Sequence, residues 1–163
     1  MTKDIIHIPF LVYPDFKNLE RADALLLEAA RSATVHAYAP YSKFRVGAAV
    51  LLASGQIVSG SNQENASFPA GICAERVALS AASAAYPGIA ITGLALTYIH
   101  ESGNGDRPIS PCGICRQTMV EYETRFNHPI RIILGGNTGE IFIMNRATDL
   151  LPFAFNSKEL ITH

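Results

Sequence analysis

The sequence predicts an α/β protein, a three-layer α/β/α sandwich with a mixed five-stranded sheet. Apolar runs of strand length alternate with segments in which apolar residues recur at helical spacing. The strand runs are nearly continuous in apolar residues, which indicates a sheet covered by helices on both faces. A chain of 163 residues fits one domain with its own core. We predict an N-terminal arm over 1–17, where Pro9 and Pro14 argue against long regular structure, and a single domain over 18–163.

The first half of the domain predicts a helix, a β-hairpin and a second helix. Leu and Ala recur at helical spacing after Asn18, which can cap the first helix. Ser54-Gly55 supplies the hairpin turn, and Pro87-Gly88 stops the second helix. The predicted bounds are a helix over about 19–38, strands over 44–53 and 56–61, a loop over 62–71 and a helix over about 73–86.

The second half predicts three strands and two helices. Pro111 suits the first turn of a helix, and a Gly/Asn-rich turn separates the last two strands. The predicted bounds are a strand over 89–100, a polar loop over 101–110, a helix from 111 to about 125, strands over 129–134 and 140–145, and a short helix near 147–151.

Charge and hydropathy argue against two classes of partner. The chain has 13 basic and 14 acidic residues, and its net charge of -1 offers no electrostatic footprint for a phosphate backbone. No run approaches the roughly 18–20 apolar residues that cross a bilayer. Asp4, His7 and Pro9 stand where an export signal would be basic and then apolar. We therefore expect a cytoplasmic protein with neither a nucleic-acid nor a membrane partner.

The three cysteines are the residues that point to chemistry. Cys73 lies in a C-A-E motif, and Cys112 and Cys115 form a P-C-x-x-C motif 39 positions later. An odd number of thiols cannot pair completely, and in a reducing compartment thiols favour metal binding or catalysis. Both motifs begin predicted helices, whose N-terminal charge favours the thiolate that binds metal. Zinc is the default metal for such a set.

The number of ligands separates a catalytic from a structural zinc site. Three protein ligands leave the fourth tetrahedral position for water, which zinc makes acidic near neutral pH. Glu75 can reach that water and move protons if Cys73 stands at the very start of its helix, outside regular helical geometry. The alternative is a structural site completed by one histidine, although none has ligand-like spacing to the cysteines. The candidates are His7, His36, His100, His128 and His163.

Arg76 is predicted to act beside the metal. It lies three residues after Cys73 and so shares a helix face with it. Three thiolates and Zn²⁺ sum to a charge of -1, which makes a bound water harder to deprotonate, and a guanidinium that donates to thiolate sulfur offsets that charge. The alternative is an ordinary arginine on the surface of a helix.

Four segments resemble the zinc-dependent cytidine deaminases of the homotetrameric type, whose site is described by three cysteines and a glutamate that is not a ligand. The resemblance spans Tyr41 to Phe155 and leaves the first 17 or so residues outside it. The segments are YSKFRVGAAV over 41–50, NQENASFPAGICAERVAL over 62–79, SPCGICRQTMVEY over 110–122 and DLLPFAF over 149–155.

The resemblance implies a set of substrate contacts. It assigns Asn62 and Glu64 to the ribose 3′-hydroxyl, for which they supply a donor and an acceptor. It assigns Phe44 and Phe155 to the pyrimidine, with Phe155 reaching into a neighbouring subunit. Ala66 is implied near the 5′ end of the nucleoside.

Two positions depart from the family's pattern. Phe68 stands where some relatives have tyrosine, so a phenolic hydrogen bond near the 5′ end of the nucleoside is absent. Phe153 stands where the family often has glycine, which affects the tail that carries Phe155.

The expected function is hydrolytic deamination of cytidine and 2′-deoxycytidine in pyrimidine salvage, by a homotetramer with one zinc per subunit. Glu75 would move protons, and the backbone N–H of Ala74 would help to fix the pyrimidine edge. One rival is a related zinc deaminase that acts on a free base, on an antibiotic such as blasticidin S or on a base in nucleic acid. The other is a zinc-stabilised interaction module without activity.

Overall fold

A computed structural model describes residues 1–100 and 105–160. It contains one six-stranded sheet in the order β1-β6-β5-β4-β2-β3. The strands are β1 (Leu11–Tyr13), β2 (Phe44–Leu52), β3 (Ile57–Ser61), β4 (Ile91–His100), β5 (Arg131–Gly135) and β6 (Ile141–Met144). The α-helices are α1 (Arg21–Ala33), α2 (Ala74–Ala85) and α3 (Gly113–Phe126).

The three-layer architecture and the mixed sheet are confirmed. Strands β4 and β5 are parallel and are joined by a crossover through α3, whereas the other neighbouring strands are antiparallel. Helix α1 buries Leu26, Leu27 and Ala30 against one face of the sheet. Helices α2 and α3 bury Leu79 and Met119 against the other face. The sheet is therefore apolar on both sides, as its near-continuous strand sequences indicate.

The prediction of five strands is wrong, because a sixth strand comes from the N-terminal segment. Leu11–Tyr13 pairs antiparallel with β6, and Leu11 lies opposite Ile143. The ring of Phe10 packs 5.3 Å from that of Phe142. The strand has three residues between Pro9 and Pro14. Three residues are too few to show an alternating pattern, so sequence periodicity could not reveal it.

At two places a 3-10 helix stands where the sequence predicts a helix. Helix α1 ends at Ala33, and a 3-10 turn over Thr34–His36 replaces its predicted last turn. The hydroxyl of Thr34 donates to Arg31 O at 2.7 Å and so occupies a carbonyl of the last turn. The short C-terminal helix is a 3-10 helix over Ala147–Leu150. The first four residues of the predicted loop over 101–110 lie outside the described residues.

No helix in the described parts of the chain is both long and apolar enough to cross a membrane.

Gly60 fixes how closely α2 approaches the sheet. A Cβ at this position would lie 2.5 Å from Ala78 N and 2.8 Å from Ala74 O, both backbone atoms of α2. Only glycine permits such an approach of two backbones. The first turn of α2, which follows Cys73, is therefore held directly against β3.

Replacing Gly60 with alanine is expected to destabilise the protein by about 1–3 kcal/mol, because the added methyl group must push α2 away from β3. Urea unfolding followed by circular dichroism measures the change. The exposed Ser59 on the same strand provides the matched control, and Ser59→Ala should leave the unfolding midpoint almost unchanged. Equal midpoints for Gly60→Ala and Ser59→Ala would show that the close approach does not constrain α2.

Candidate metal centre and active site

Two helix N-termini meet at the centre of the site. Cys73 is the N-cap of α2, with φ -73° and ψ 151°, and Cys112 is the N-cap of α3, with φ -67° and ψ 167°. The carbonyl of Cys73 accepts the first helical bond from Val77 N at 3.1 Å, and that of Cys112 accepts from Arg116 N at 2.9 Å. Both thiols thus lie at the positive end of a helix, where negative charge is favoured.

The three sulfur atoms form one compact cluster. Cys112 Sγ lies 3.8 Å from Cys73 Sγ and 3.5 Å from Cys115 Sγ, and all three sulfurs lie within 4.8 Å of one another. Two ligands at about 2.3 Å from a tetrahedral zinc are separated by about 3.8 Å, so these spacings fit a zinc ion. The cysteines are free thiols.

Histidine does not join this cluster anywhere in residues 1–100 or 105–160. His163, one candidate for a fourth ligand, lies outside the described residues. The described residues therefore offer three cysteine ligands. This number suits a tetrahedral zinc ion whose fourth coordination position is left for water.

Hydrogen bonds among the thiols distribute their protons unequally. The pKa of Cys73 is lowered to about 6, chiefly because the Cys115 thiol donates toward it. Partial burial opposes this lowering, and Cys112 and Arg76 contribute to it. The pKa of Cys115 is raised, chiefly because its proton is held in the bond to Cys73. The cluster therefore carries thiolate character before any metal binds, which is the form that metals require.

Arg76 supplies positive charge to the same cluster. Its charge lowers the pKa of Cys73. One terminal nitrogen donates to Gly71 O at 3.4 Å, while the buried Nε has no hydrogen-bond partner among the residues described. A partly buried guanidinium whose Nε–H is free to donate fits a site whose sulfurs keep excess negative charge after metal binding.

Glu75 is a buried carboxyl group beside the sulfurs. Glu75 lies in the first turn of α2, two residues after Cys73, and is only 4% exposed. Burial is the main cause that raises the pKa of Glu75, and the negative charge of Cys73 adds to the rise, while a backbone N–H group opposes it. Because Cys73 is extended rather than helical, the thiol and the carboxyl group can face one centre in spite of their spacing of two residues.

A cleft of about 560 Å³ opens beside Cys73. Its lining includes the predicted residues Asn62 and Glu64 as well as Tyr41 and Phe68. The rings of Tyr41 and Phe68 meet edge to face with centroids 6.1 Å apart. The cleft therefore joins an apolar wall and a polar wall to the metal cluster, an arrangement typical of small-molecule sites.

The polar wall is held by bonds to the chain itself. Asn62 Nδ2 donates to Phe44 O at 2.9 Å, and Asn62 Oδ1 accepts from Val46 N at 2.8 Å. Glu64 accepts from Tyr41 N at 2.9 Å, from Ser42 N at 3.3 Å and from the Ser42 hydroxyl. That hydroxyl is the main cause that lowers the pKa of Glu64. Glu64 is therefore ionised and held in place near neutral pH.

The four remaining predicted residues are not part of the cleft lining in the described parts of the chain. Phe44 is half-buried, and its ring stacks on Tyr98 with centroids 4.8 Å apart. Ala74 is fully buried at the start of α2. Ala66 and Phe155 are exposed and do not line the cleft within this chain. The structure thus groups the cysteines, Glu75, Arg76, Asn62 and Glu64 around one centre and leaves Ala66 and Phe155 apart.

Sequence reasoning missed three residues around the site. Ser42 bonds to Glu64, Arg116 bonds to the carbonyl of Pro111, and Gln117 bonds to the carbonyl of Phe155. Ser42 precedes an apolar strand, and the other two directly follow Cys115. Proximity to a motif was the only signal, because each contact depends on how distant segments fold together.

Three thiolates at two helix N-termini, with a buried glutamate that is not a ligand, define the class of zinc-dependent deaminases. The family described as cytidine and deoxycytidylate deaminase zinc-binding region matches residues 20–126. The chain belongs to this family, and its three cysteines are placed to bind the zinc ion.

Individual relatives agree with that assignment. A Halalkalibacterium halodurans protein named cytidine deaminase is 37% identical over 136 residues, which are 83% of this chain and 96% of that protein. A probable cytidine deaminase of Dictyostelium discoideum is 40% identical over 142 residues, which are 83% of this chain and 84% of that protein. The crystal structure of cytidine deaminase from Burkholderia pseudomallei is 40% identical, with a TM-score of 0.70, and covers 84% of this chain and 100% of that chain.

Zinc is expected to raise the melting temperature of the metal-stripped protein by roughly 5–10 °C when it is present at a hundredfold excess over its Kd. Cys112→Ser should remove most of this shift, because the exposed Cys112 contributes a ligand and little packing. Differential scanning fluorimetry with and without zinc measures both values, with Mg²⁺ as the control metal. An undiminished zinc shift in Cys112→Ser would contradict a site built from three cysteines.

Proposed function

We propose that this protein hydrolyses the 4-amino group of cytidine and 2′-deoxycytidine, with release of uridine or 2′-deoxyuridine and ammonia, as a step of pyrimidine salvage. One observation carries the proposal: the buried carboxyl group of Glu75 lies beside three clustered thiols, one of which, Cys73, lines an open cleft. The cytidine deaminases that resemble the chain over most of its length support the choice of substrate.

Cys73, Cys112 and Cys115 would hold the zinc. Zinc bound there supplies a water acidic enough to yield a nucleophile at neutral pH. The charge of Arg76 favours the thiolate form of Cys73. With zinc bound, the guanidinium would offset the net negative charge that three thiolates leave on a divalent metal.

Glu75 is the general acid and base of the reaction. It accepts a proton from the attacking water and delivers it to N3 of the pyrimidine. It then takes the proton of the hydroxyl group newly bonded to C4 and gives it to the departing amine, so that a C4 carbonyl and ammonia are formed. Its burial excludes bulk water, so the proton passes to the substrate rather than to solvent. The backbone N–H of Ala74, at the start of α2, orients the edge of the pyrimidine.

Asn62 and Glu64 bind the ribose 3′-hydroxyl. After its bonds to the backbone, Asn62 keeps one N–H and one lone pair, and ionised Glu64 keeps acceptor capacity for a hydroxyl proton. Because both side chains are fixed by bonds to the chain, they present their remaining groups without reorganisation.

The charge of the cleft favours nucleosides over nucleotides. Its lining contains no Lys, Arg or His in the described parts of the chain, while Glu64 is ionised. A 5′-phosphate would therefore find a like charge and no cationic partner. The charge of the cleft therefore favours cytidine and deoxycytidine over deoxycytidylate, which carries a 5′-phosphate and is the second substrate in the family's description.

The working form is proposed to be a cytoplasmic homotetramer. Phe153 is 89% exposed and Phe155 is 58% exposed, which is unusual for phenylalanine unless a partner covers it. Phe155 and Phe44 would contact the base, with Phe155 supplied by a neighbouring subunit, and Ala66 would approach the 5′ end of a neighbour's substrate. The free thiols suit a reducing compartment.

Light scattering of the zinc-loaded protein is expected to give four times the mass of the chain.

Phe155→Ala should raise KM for cytidine about tenfold or more, because a base contact is lost. Ile57→Ala, at an exposed position on the edge strand β3, is the control. A monomer with full activity would contradict the tetramer.

Ammonia release from a panel of substrates tests the function directly. Cytidine and 2′-deoxycytidine should be deaminated, whereas deoxycytidylate, cytosine and blasticidin S should react at least about a hundredfold more slowly in kcat/KM. A chelator should abolish the activity, and zinc should restore it. Deoxycytidylate turnover as fast as that of cytidine would contradict the nucleoside assignment.

Glu75→Gln in the same assay should lower kcat by about a hundredfold to ten thousandfold while zinc content stays at one per chain. The exposed Glu121→Gln is the matched control and should keep full activity. A fully active Glu75→Gln protein would exclude Glu75 as the proton carrier.

A further inference from the structure

The C-terminal segment 147–155 is fastened to α3 by three side chains. Glu123, 7% exposed, accepts from Ala147 N at 2.7 Å and from Thr148 N at 3.0 Å. Arg116 and Gln117 in the first two turns of α3 make the other attachments. The helix that carries Cys112 and Cys115 is thus also the support of the tail.

Arg116 joins the tail to the loop in front of the metal cluster. Its Nε donates to Pro111 O at 2.8 Å, and Nη1 donates to Leu150 O at 3.3 Å. Pro111 directly precedes Cys112. One planar guanidinium therefore fixes the backbone next to a metal ligand relative to Leu150, which lies 34 positions after Arg116 itself.

Gln117 fixes the part of the tail that carries Phe155. Its Nε2 donates to Phe155 O at 2.6 Å. Residues 152–156 form no helix or strand, and the rings of Phe153 and Phe155 are largely exposed. Packing within the chain therefore holds these rings only weakly, and the bond from Gln117 determines where Phe155 stands.

We propose that Arg116 and Gln117 are positioning residues that couple the C-terminal tail to the metal-binding helix. Arg116 acts on Cys112 through the carbonyl of Pro111, and Gln117 acts on Phe155 through its own carbonyl. The proposal rests on the proposed function for the role of Phe155 in the cleft of a neighbouring subunit. The coupling itself follows from the hydrogen bonds.

The test uses the full-length, zinc-loaded protein with paired variants. Gln117→Glu keeps the shape of the side chain and removes its N–H donor, whereas Gln117→Lys keeps a donor. Arg116→Met removes both bonds of the guanidinium at similar length. Thr118→Ala is the matched control, because the Thr118 hydroxyl donates to Ile114 O of the same helix and, among residues 1–100 and 105–160, makes no bond to the tail.

Three measurements are made on each protein: amide hydrogen exchange over residues 151–156, the rate of zinc transfer to a chelator, and KM and kcat for cytidine. Gln117→Glu should speed exchange in the tail and raise KM about fivefold, with kcat and zinc transfer within about twofold of the parent. Gln117→Lys should recover most of the loss in KM. Arg116→Met should speed zinc transfer about tenfold or more.

The proposal is overturned if Gln117→Glu matches Thr118→Ala in exchange and KM, or if Arg116→Met releases zinc at the parent rate. A general loss of structure would instead lower kcat, raise KM and speed zinc transfer together in every variant. That result also counts against a positioning role. If the parent protein does not deaminate cytidine, the proposed function fails, while exchange and zinc transfer still decide the coupling.

Discussion

The site depends on the meeting of two helix N-termini. Cys73 caps α2, Cys112 caps α3, and with Cys115 their sulfurs lie within 4.8 Å of one another. Three thiolates at this spacing repel one another unless a cation lies between them, so complete deprotonation of the three cysteines is coupled to metal binding. Gly60 lets α2 lie directly against β3. The same first turn of α2 places Glu75 beside the sulfurs, which ties the position of the acid to that of the metal.

Much of the fold could be predicted because its signals are local. The hairpin turn at Ser54-Gly55 and the helix stop at Pro87-Gly88 are encoded in short stretches. The three-layer order is indicated by strands that are nearly continuous in apolar residues and alternate with helices. Strand β1 could not be predicted, because three residues between prolines gain order only by pairing with β6. The end of α1 depends on a bond from Thr34 to the helix backbone, a contact that the apolar pattern does not report.

In the candidate site as well, some residues could be predicted from the sequence and others could not. Thiol spacing and the adjacent Glu75 point to a metal and a proton carrier from sequence alone, because ligand chemistry limits the choices. The supporting contacts do not have such a signal. Arg116 reaches a residue 34 positions away, and Gln117 reaches one 38 positions away. Partners at such separation are fixed by tertiary packing, so only the folded chain reveals that the tail and the metal helix are joined.

X-ray absorption spectroscopy of the zinc-loaded protein measures the ligand set most directly. Three sulfur atoms at about 2.3 Å and one oxygen at about 2.0 Å are expected, and the oxygen should remain in Glu75→Gln. A fourth sulfur, or an imidazole in place of the oxygen, would mean that protein ligands close the metal. That result would contradict a catalytic centre and leave a structural one.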